Sequence, residues 1–339
     1  MNVATYAVRR LLLIVPTLLG VSLLTFALSR VVPGDPARLA AGAQATPAMY
    51  EQIRREFGLD QSLPVQYWGY LSGLFQGDWG RSILSRRAVV EDLQTYWPAT
   101  LELVLVAMTI ATLVGVPLGI VSAVRADRPV DQASRLVALV GVSVPAFWLA
   151  VLLQLFFGLR LGWLPVSGRL GSMTDAPPHL TGLYLVDSLI AGQGAAFGDA
   201  ARQLILPALT LSFPAMATIA RFTRASLLET LGQDYVRTAR AKGVTERRVV
   251  LRHALRNALI PTITMIGLSF GWSMGGSVLV ETVFDWPGIG LYATKSALTL
   301  DFSPIMGIAL LYGLVFSLIN IGVDLTYGLV DPRIARGSA

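Results

Sequence analysis

Residues 234–261 read DYVRTARAKGVTERRVVLRHALRNALIP, a strongly basic stretch between two segments that are apolar enough to enter a bilayer. Together with its flanks, from 221 to 256, it carries nine arginine and lysine residues against three carboxylates, a net charge of +6. The whole chain of 339 residues has the same net charge. Because basic residues accumulate in loops on the cytoplasmic side of a membrane, this stretch indicates the orientation of the spans around it.

The composition is that of a polytopic membrane protein. Hydrophobic residues make up 54% of the chain and charged residues only 14%, compared with about 25% charged residues in soluble domains. Cysteine is absent, and the two histidines, His179 and His253, lie far apart. We therefore expect no disulfide and no metal site. No nucleophile, base and orienting group lie at a suitable spacing, so no catalytic residue is assigned. The positive charge lies in loops between spans, and we expect no nucleic-acid partner.

Six segments have the length of about 20 apolar residues that a spanning helix needs. The first follows Arg9 and Arg10, and a signal peptide is the alternative interpretation of this start. The apolar run is too long for that alternative, and no small-residue cleavage site follows it. The predicted spans are 11–29, 99–124, 134–157, 203–220, 258–280 and 304–325.

The distribution of basic residues sets the topology. They cluster before the first span, after the second, between the fourth and fifth, and after the sixth. The other connections, 33–98, 158–202 and 281–303, are near neutral or acidic. The positive-inside rule places the basic connections in the cytoplasm. The sequence therefore predicts an all-α polytopic membrane protein with six transmembrane helices and both termini cytoplasmic.

This topology divides the chain into three parts. The first contains one transmembrane helix and a long periplasmic segment, the second contains five helices and a cytoplasmic loop, and the third is a cytoplasmic tail. The parts are 1–98, 99–329 with the loop 221–257, and 330–339.

The outer segments differ in their predicted order. In the first, TPAMYEQIRREFGL predicts a helix that is capped by Thr46 and stopped by Gly58. The aromatic stretch 64–75 then predicts a helix that lies at the membrane surface or packs on neighbouring spans. The second segment, 158–202, is rich in glycine, proline and aspartate, which predicts mostly irregular structure.

Within the basic loop, DYVRTARAKG predicts a short helix that ends at Gly243. Thr245 is expected to cap a second helix. Membrane topology is enough to explain the charge by itself. The order of helix, glycine turn and helix instead predicts a short rigid projection, or knob, whose basic flanks suit an acidic cytoplasmic partner. The apolar face of the second helix comprises Val249, Val250, Ala254 and Leu255.

The run Arg237-Thr238-Ala239, followed by Gly243 and Ile260-Pro261, resembles the EAA loop of ABC importer permeases. The chain has Arg and Thr where the general consensus has Glu and Ala. Further stretches are similar to the first permease subunit of the dipeptide, oligopeptide and nickel branch, and 180–200 resembles its dipeptide members. These stretches are VVPGDP (31–36), FGLDQSLPVQY (57–67), GDWGRS (77–82), VSVPAFWLA (142–150), LPVSGR (164–169), ETVFDWPGIG (281–290), DFSPIMG (301–307) and VDPRI (330–334).

This resemblance implies a type I ABC importer permease fold in a bacterial cytoplasmic membrane. It implies a homologous second permease, two cytoplasmic ATPase subunits that bind ATP and magnesium, and a solute-binding protein outside, with membrane lipid around the spans. The expected substrate is a dipeptide or short peptide; nickel, glutathione or oligopeptides are the alternatives. A channel or secondary carrier that works alone is a more remote alternative, since few charges lie within the spans.

The resemblance also assigns site residues. The EAA loop is a coupling helix that docks into a groove of the ATPase. The coupling residues implied are Asp234, Arg237, Thr238, Ala239, Lys242 and Gly243. Candidates for the translocation pathway or its gate are polar, aromatic and small residues within the third, fifth and sixth spans, for which helix packing is the alternative. These candidates are Pro145, Phe147, Trp148, Gln154, Phe270, Gly271, Met274 and Asn320.

Two further residue patterns invite assignment. GIGLYATKS, 288–296, approaches a phosphate-binding loop, but Thr294 stands where the second glycine is needed. We therefore expect no ATPase site and no enzyme activity in this chain alone. Glu102 follows Pro98 by about one turn, and we expect it at a helix start, where a carboxylate suits the helix dipole.

Overall fold

The computed structural model describes residues 3–31, 36–42, 45–56 and 58–330, which are mostly helical. Within these ranges the one strand-like pairing is an isolated bridge between Arg81 and Ala88. Within the described residues, five helices are long and apolar enough to cross a membrane, and a bent pair of helices passes the same test together, which gives six spans when the pair is counted as one broken span. The predicted fold class of an all-α polytopic membrane protein is confirmed. The tail from 331 onward, including most of VDPRI, lies outside the described residues, as does most of VVPGDP.

The helices are numbered in chain order. Two π-helical segments continue α7 and precede α12; they are Gln154–Arg160 and Val249–Ala254. The helices are α1 (Val3–Val31), α2 (Pro36–Ala41), α3 (Pro47–Glu56), α4 (Leu63–Phe75), α5 (Val89–Val124), α6 (Pro129–Ser143), α7 (Ala146–Leu153), α8 (Tyr184–Ile190), α9 (Gly194–Leu231), α10 (Asp234–Ala241), α11 (Glu246–Arg248), α12 (Leu255–Val283), α13 (Ile289–Leu298) and α14 (Phe302–Val330).

The spanning helices extend beyond the apolar runs that predict them. Helix α5 begins at Val89, ten residues before the predicted span, so the division at 98 falls within a continuous helix. Helix α9 likewise runs from Gly194 to Leu231. Polar residues continue both helices past the hydrocarbon-length run, which hydropathy alone does not register.

The third span is bent instead of straight. Helices α6 and α7 meet at an angle of 104°. Pro145 lies at the N-cap of α7 in an extended conformation, where its missing N–H removes a donor that a continuous helix would need. The prediction of one helix over 134–157 is wrong at this bend.

The main hydrophobic core lies between α5, α9 and α12. Gly119 allows the backbones of α5 and α9 to touch, because a Cβ atom there would lie 2.6 Å from the carbonyl oxygen of Ala220. Glu102 faces the outer part of this core, where its carboxylate pairs with Arg169 at 2.6 Å and both side chains are buried. Glu102 lies well inside α5, so its predicted place at a helix start is wrong.

The outer segment 158–202 is more ordered than its composition predicts. Helix α8 forms, and α9 begins at Gly194. The carboxylate of Asp187 accepts hydrogen bonds from the backbone N–H groups of Leu180, Thr181 and Gly182 and from the Thr181 hydroxyl. Burial alone would raise the pKa of this carboxyl, but these hydrogen bonds outweigh burial and lower the pKa below its usual value. Asp187 therefore organises the loop that precedes α8.

The first outer segment forms the two predicted helices. Thr46 accepts a hydrogen bond from the Met49 N–H at the start of α3, and Gly58 follows α3 with a φ of +63°. Helix α4 agrees with both predicted alternatives, because one side packs on a neighbouring span and another side exposes an aromatic residue. Tyr67 packs inward and forms a hydrogen bond of 2.9 Å with Ser22 of α1, whereas Trp68 remains 72% exposed.

The stretch 288–296 forms the N-cap and most of α13. Its first N–H groups are directed at a protein carboxylate: Gly290 and Leu291 donate to Glu281, which also accepts from Thr100. Glu281 thus satisfies the helix N-terminus that a phosphate would occupy in a nucleotide-binding loop.

Candidate functional site

Helix α10 presents one face to solvent and one edge to the protein. Val236 and Ala239, three residues apart, are buried. Asp234 and Arg237 form an exposed ion pair of 3.4 Å, in which their side chains are 96% and 73% accessible. Of the predicted coupling residues, Ala239 therefore anchors the helix, and the exposed face carries Asp234, Arg237, Thr238 and Lys242.

Gly243 ends α10 in a left-handed conformation with a φ of +76°. Its N–H donates to the carbonyl of Arg240 at 2.9 Å, and the N–H of Val244 donates to the carbonyl of Ala239 at 3.2 Å. This pair of bonds is a Schellman motif, in which glycine takes the left-handed position and the next apolar residue packs back on the helix. Val244 does pack on the cluster that contains Ala239. The predicted glycine stop is confirmed.

The segment after Gly243 differs from the predicted second helix. Thr245 precedes α11, but its side chain makes no capping hydrogen bond. Helix α11 passes through the π-helical segment directly into α12, so the second arm of the knob is the start of the fifth span. The turn is closed by Arg240, whose guanidinium binds the carboxylate of Glu246 at 2.6 and 3.1 Å. Hydrogen bonding to this carboxylate raises the pKa of the Arg240 guanidinium.

A separate apolar cluster connects α10 to the membrane helices. Around Val236 and Ala239 it gathers Ala123 of α5, Leu227 of α9 and Ala258 of α12, together with the buried face of the π-helical segment. A hydrogen bond of 2.8 Å from Asn257 of α12 to the Tyr235 hydroxyl of α10 lies beside it. The buried face of that segment comprises Val249, Val250 and Ala254, as predicted. Leu255 is only partly buried.

The pathway candidates on α12 lie on different sides of the helix. Phe270 is partly buried against the main core, and Met274 is buried within it at 4% exposure. Gly271 faces α14, since a Cβ atom there would lie 2.3 Å from the Phe316 ring. Their assignment to a pathway stays a prediction.

The remaining candidates lie on the third and sixth spans. Phe147 and Trp148 are about half exposed on α7, just after the bend at Pro145. Gln154 links the loop that contains Val166 to the end of α12, because its amide donates to the carbonyls of Val166 and Val283 at 2.7 and 3.1 Å. Asn320 is partly exposed on α14. The structure therefore does not bring the eight candidates into one site.

A groove of about 320 Å³ runs between α7, α9 and α12, and its lining residues lie outside the eight candidates assigned above. Trp272 of α12 is 79% exposed and lines the groove with Ser269, Pro214 and Thr218. Ala146, next to Phe147, closes the α7 side. Met265, Ser269, Trp272 and Gly276 share one face of α12 at helical spacing, but they share no residue type, so no sequence signal marks that face.

A family model described as the binding-protein-dependent transport system inner membrane component matches residues 115–336. The model of the amino-terminal part of the same membrane component matches residues 3–104. The chain belongs to this family. The multi-pass architecture of the described residues agrees with an inner membrane component.

Curated relatives of this transport family match over nearly the whole chain. A probable D,D-dipeptide transport system permease protein of Escherichia coli K12 is 49% identical, and the match covers 94% of each chain. A di/tripeptide transport system permease protein of Pseudomonas aeruginosa is 44% identical over 97% of this chain and 98% of its own. A glutathione transport system permease protein of E. coli K12 is 42% identical over the same shares.

These relatives are transport permease subunits and not enzymes. The chain is therefore a permease subunit of a binding-protein-dependent ABC transport system. A solved structure of the methionine transporter MetNI in inward-facing conformations matches 69% of this chain and 93% of its own, at 18% identity and a TM-score of 0.49. Among the described residues, no group of three or more histidine, aspartate or glutamate side chains could hold a metal ion.

Proposed function

We propose that this permease subunit forms half of a pathway for dipeptides or short peptides, and that α10 couples the pathway to separate ATPase subunits. One observation carries the proposal. Helix α10 is anchored to the start of α12 by a buried apolar cluster and by the Asn257–Tyr235 hydrogen bond, and α12 lines the groove that contains Trp272. A force applied to α10 from the cytoplasm therefore reaches the pathway helix directly.

The exposed face of α10 suits a protein partner. It presents Arg237, Thr238 and Lys242 without burying any of them, on a helix held rigidly along its other edge. Arginine at the centre of an interface contributes strongly to binding through bidentate hydrogen bonds. We infer that α10 docks into an acidic groove on one of two ATPase subunits, which bind ATP and magnesium. The corresponding helix of a homologous second permease docks into the same groove on the other ATPase subunit.

The groove suits transient passage of a peptide. Its lining residues include the Trp272 indole and the hydroxyl-bearing residues Ser269, Ser273 and Thr218, but no charged side chain. Such a surface offers hydrogen bonds and apolar contact without a fixed charge that would hold a zwitterion. Selectivity then belongs to an external solute-binding protein, and movement of the two permeases as rigid bodies gives alternating access.

The peptide assignment follows the relatives that are named for dipeptide and di/tripeptide transport. Because another relative is named for glutathione transport, glutathione is the alternative substrate. Purification of the whole complex from its native membrane, followed by uptake of labelled dipeptide into proteoliposomes, tests the substrate. Accumulation that needs ATP and the binding protein supports the proposal. A preference for glutathione over every dipeptide tested would show that glutathione, and not a dipeptide, is the substrate.

Charge reversal at Arg237 tests the coupling surface separately. We expect Arg237→Glu to lower the amount of ATPase that co-purifies and to abolish uptake. Arg252→Glu is the matched control, because Arg252 is an exposed arginine of the same basic segment outside α10. Equal recovery of ATPase with both variants would contradict the docking role. Uptake by this chain without any ATPase would indicate a self-sufficient channel or carrier.

A further inference from the structure

A polar pocket of about 300 Å³ lies at the outer end of α1, between α1, α4 and α14. Its walls include Arg30, Glu56, Gln66 and Tyr70. In the described part of the chain, seven buried side-chain polar atoms lack a hydrogen-bonding partner, and three of them line this one pocket: Arg30 Nε, Gln66 Oε1 and the Tyr70 hydroxyl. Unsatisfied buried polar atoms are costly, so their concentration at one place indicates a ligand site.

The orientation of these groups defines what the pocket can hold. The Gln66 amide donates to the carbonyl of Gln61 at 2.7 Å, which leaves its oxygen as an acceptor. The Arg30 guanidinium is held 5.1 Å from the centre of the Phe26 ring and leaves Nε as a donor. The exposed carboxylate of Glu56 lines the same pocket. A fitting ligand therefore has an anionic group for Arg30 and an N–H-bearing cationic group for Gln66 and Glu56.

The position of the pocket favours a lipid over a free solute. Arg30 lies one residue before the end of the apolar span Leu11–Val31, at the depth where headgroups begin. Helix α4 exposes Trp68 and Phe75, as interfacial helices do. A second pocket, which is apolar and has a volume of about 220 Å³, also lies between α1, α4 and α14, farther from the outer end of α1. One lipid molecule fits this arrangement, with its headgroup in the polar pocket and its acyl chains against the apolar one.

We propose that this pocket binds the headgroup of a phospholipid with a primary amine, phosphatidylethanolamine, from the outer leaflet. Its phosphate accepts hydrogen bonds from Arg30 and Tyr70, and its ammonium group donates to Gln66 and Glu56. The site is built from the outer segment and the first and last spans, and it is separate from α10 and from the groove at Trp272. It therefore does not depend on the identity of the transported substrate.

Native mass spectrometry of the purified complex tests the site with defined lipids. We expect dioleoylphosphatidylethanolamine to bind more tightly than dioleoylphosphatidylcholine, whose quaternary amine has no N–H for Gln66. Arg30→Gln should weaken binding about tenfold, the loss of one charge-assisted hydrogen bond. Arg55→Gln is the matched control, since Arg55 is an exposed arginine of the same outer segment that does not line the pocket.

Two conservative variants separate the roles without disturbing the fold. Gln66→Leu should reduce the preference for the ethanolamine lipid, with Glu56 still present, while binding through the phosphate persists. Tyr70→Phe should weaken both lipids. Equal binding of the two lipids to the native chain, or equal effects of Arg30→Gln and Arg55→Gln, would overturn the proposal. Displacement of the lipid by millimolar dialanine or inorganic phosphate would reassign the pocket to a soluble zwitterion or to phosphate.

Discussion

The left-handed glycine at the end of α10 gives the sharpest prediction. Gly243 has a φ of +76°, and a Cβ atom added there would meet nothing within 4 Å. Any effect of a substitution therefore comes from the backbone and not from a clash. A residue with a Cβ atom costs about 1–2 kcal/mol in this conformation. If the chain relaxes to avoid that cost, the hydrogen bonds of Gly243 and Val244 are lost instead, each contributing about 1 kcal/mol.

These magnitudes are large for an eight-residue helix, which is not stable by itself. A cost of about 1–2 kcal/mol lowers the population of the ordered end of α10 by roughly 5- to 30-fold. We expect Gly243→Val to lower ATP-dependent uptake in proteoliposomes by a similar factor while the chain still inserts and is recovered in normal amounts. Gly243→Asn should retain most of the uptake, because asparagine tolerates the left-handed region.

Hydrogen exchange of the Gly243 and Val244 amides reports on the same structure independently of transport. Protection should fall for Gly243→Ala and should not fall for Gly232→Ala, the matched substitution in the same loop at a φ of −80°. Alanine is compatible with that conformation and should slightly stabilise the chain. Full uptake and full protection in Gly243→Val would refute the reasoning. Equal losses with valine and asparagine would show that the glycine acts through something other than its backbone conformation.

Three further predictions concern stability and passage. Asp131→Asn should lower the free energy of unfolding of the chain by about 3 kcal/mol, because the buried Asp131 carboxylate binds Arg224 at 2.6 and 2.7 Å. In thermal unfolding, the double variant that also carries Arg224→Gln should have a Tm between that of Asp131→Asn and that of the native chain. Trp272→Ala should change the uptake rate without changing ATPase recovery, whereas Leu279→Ala, on the same helix and also exposed but outside the groove, should leave uptake unaltered. Because the folded state lowers the pKa of Asp187, its stabilising contribution is complete above the usual aspartate pKa of about 4 and is lost as the pH falls through the lowered value; the difference in Tm between the native chain and Asp187→Asn should therefore close in acid.

The features that the sequence predicts well are those with a local cause. A spanning helix depends on a continuous apolar run, and the helix that ends at Gly243 depends on a charge pattern and a glycine within ten residues of each other. The structure keeps both. The bend at Pro145 is also local in origin, but proline is tolerated in spanning helices, so its presence alone does not predict an angle of 104°.

The features that the sequence does not predict depend on partners that are distant along the chain. Glu102 is buried because Arg169 reaches it across 67 residues. The carboxylate of Glu281 is buried beside Thr100, whose hydroxyl donates a hydrogen bond to it across 181 residues. In each case the residue type is visible in the sequence, but the group that makes burial possible is not adjacent to it.

The pathway shows a different limit. Apolar and small residues occur on every side of α12, so hydrophobicity carries no periodic signal of which face is buried. Residue type alone marks Phe270, Gly271 and Met274 as pathway candidates, and the structure distributes them between the core and α14. Trp272, between them in the sequence, is the residue that faces the open groove.

The continuity of the knob with α12 has a mechanical consequence. Had the second arm been a separate helix, as the sequence predicts, a movement of α10 would be absorbed at a flexible joint before it reached the membrane. Instead α11, the π-helical segment and α12 form one uninterrupted rod from Glu246 to Val283, and α10 is fixed to its base through Val236 and Ala239. Packed interiors transmit displacement because they compress little. We therefore expect a shift at the exposed face of α10 to tilt the rod, and the side of the rod that faces the groove carries Trp272.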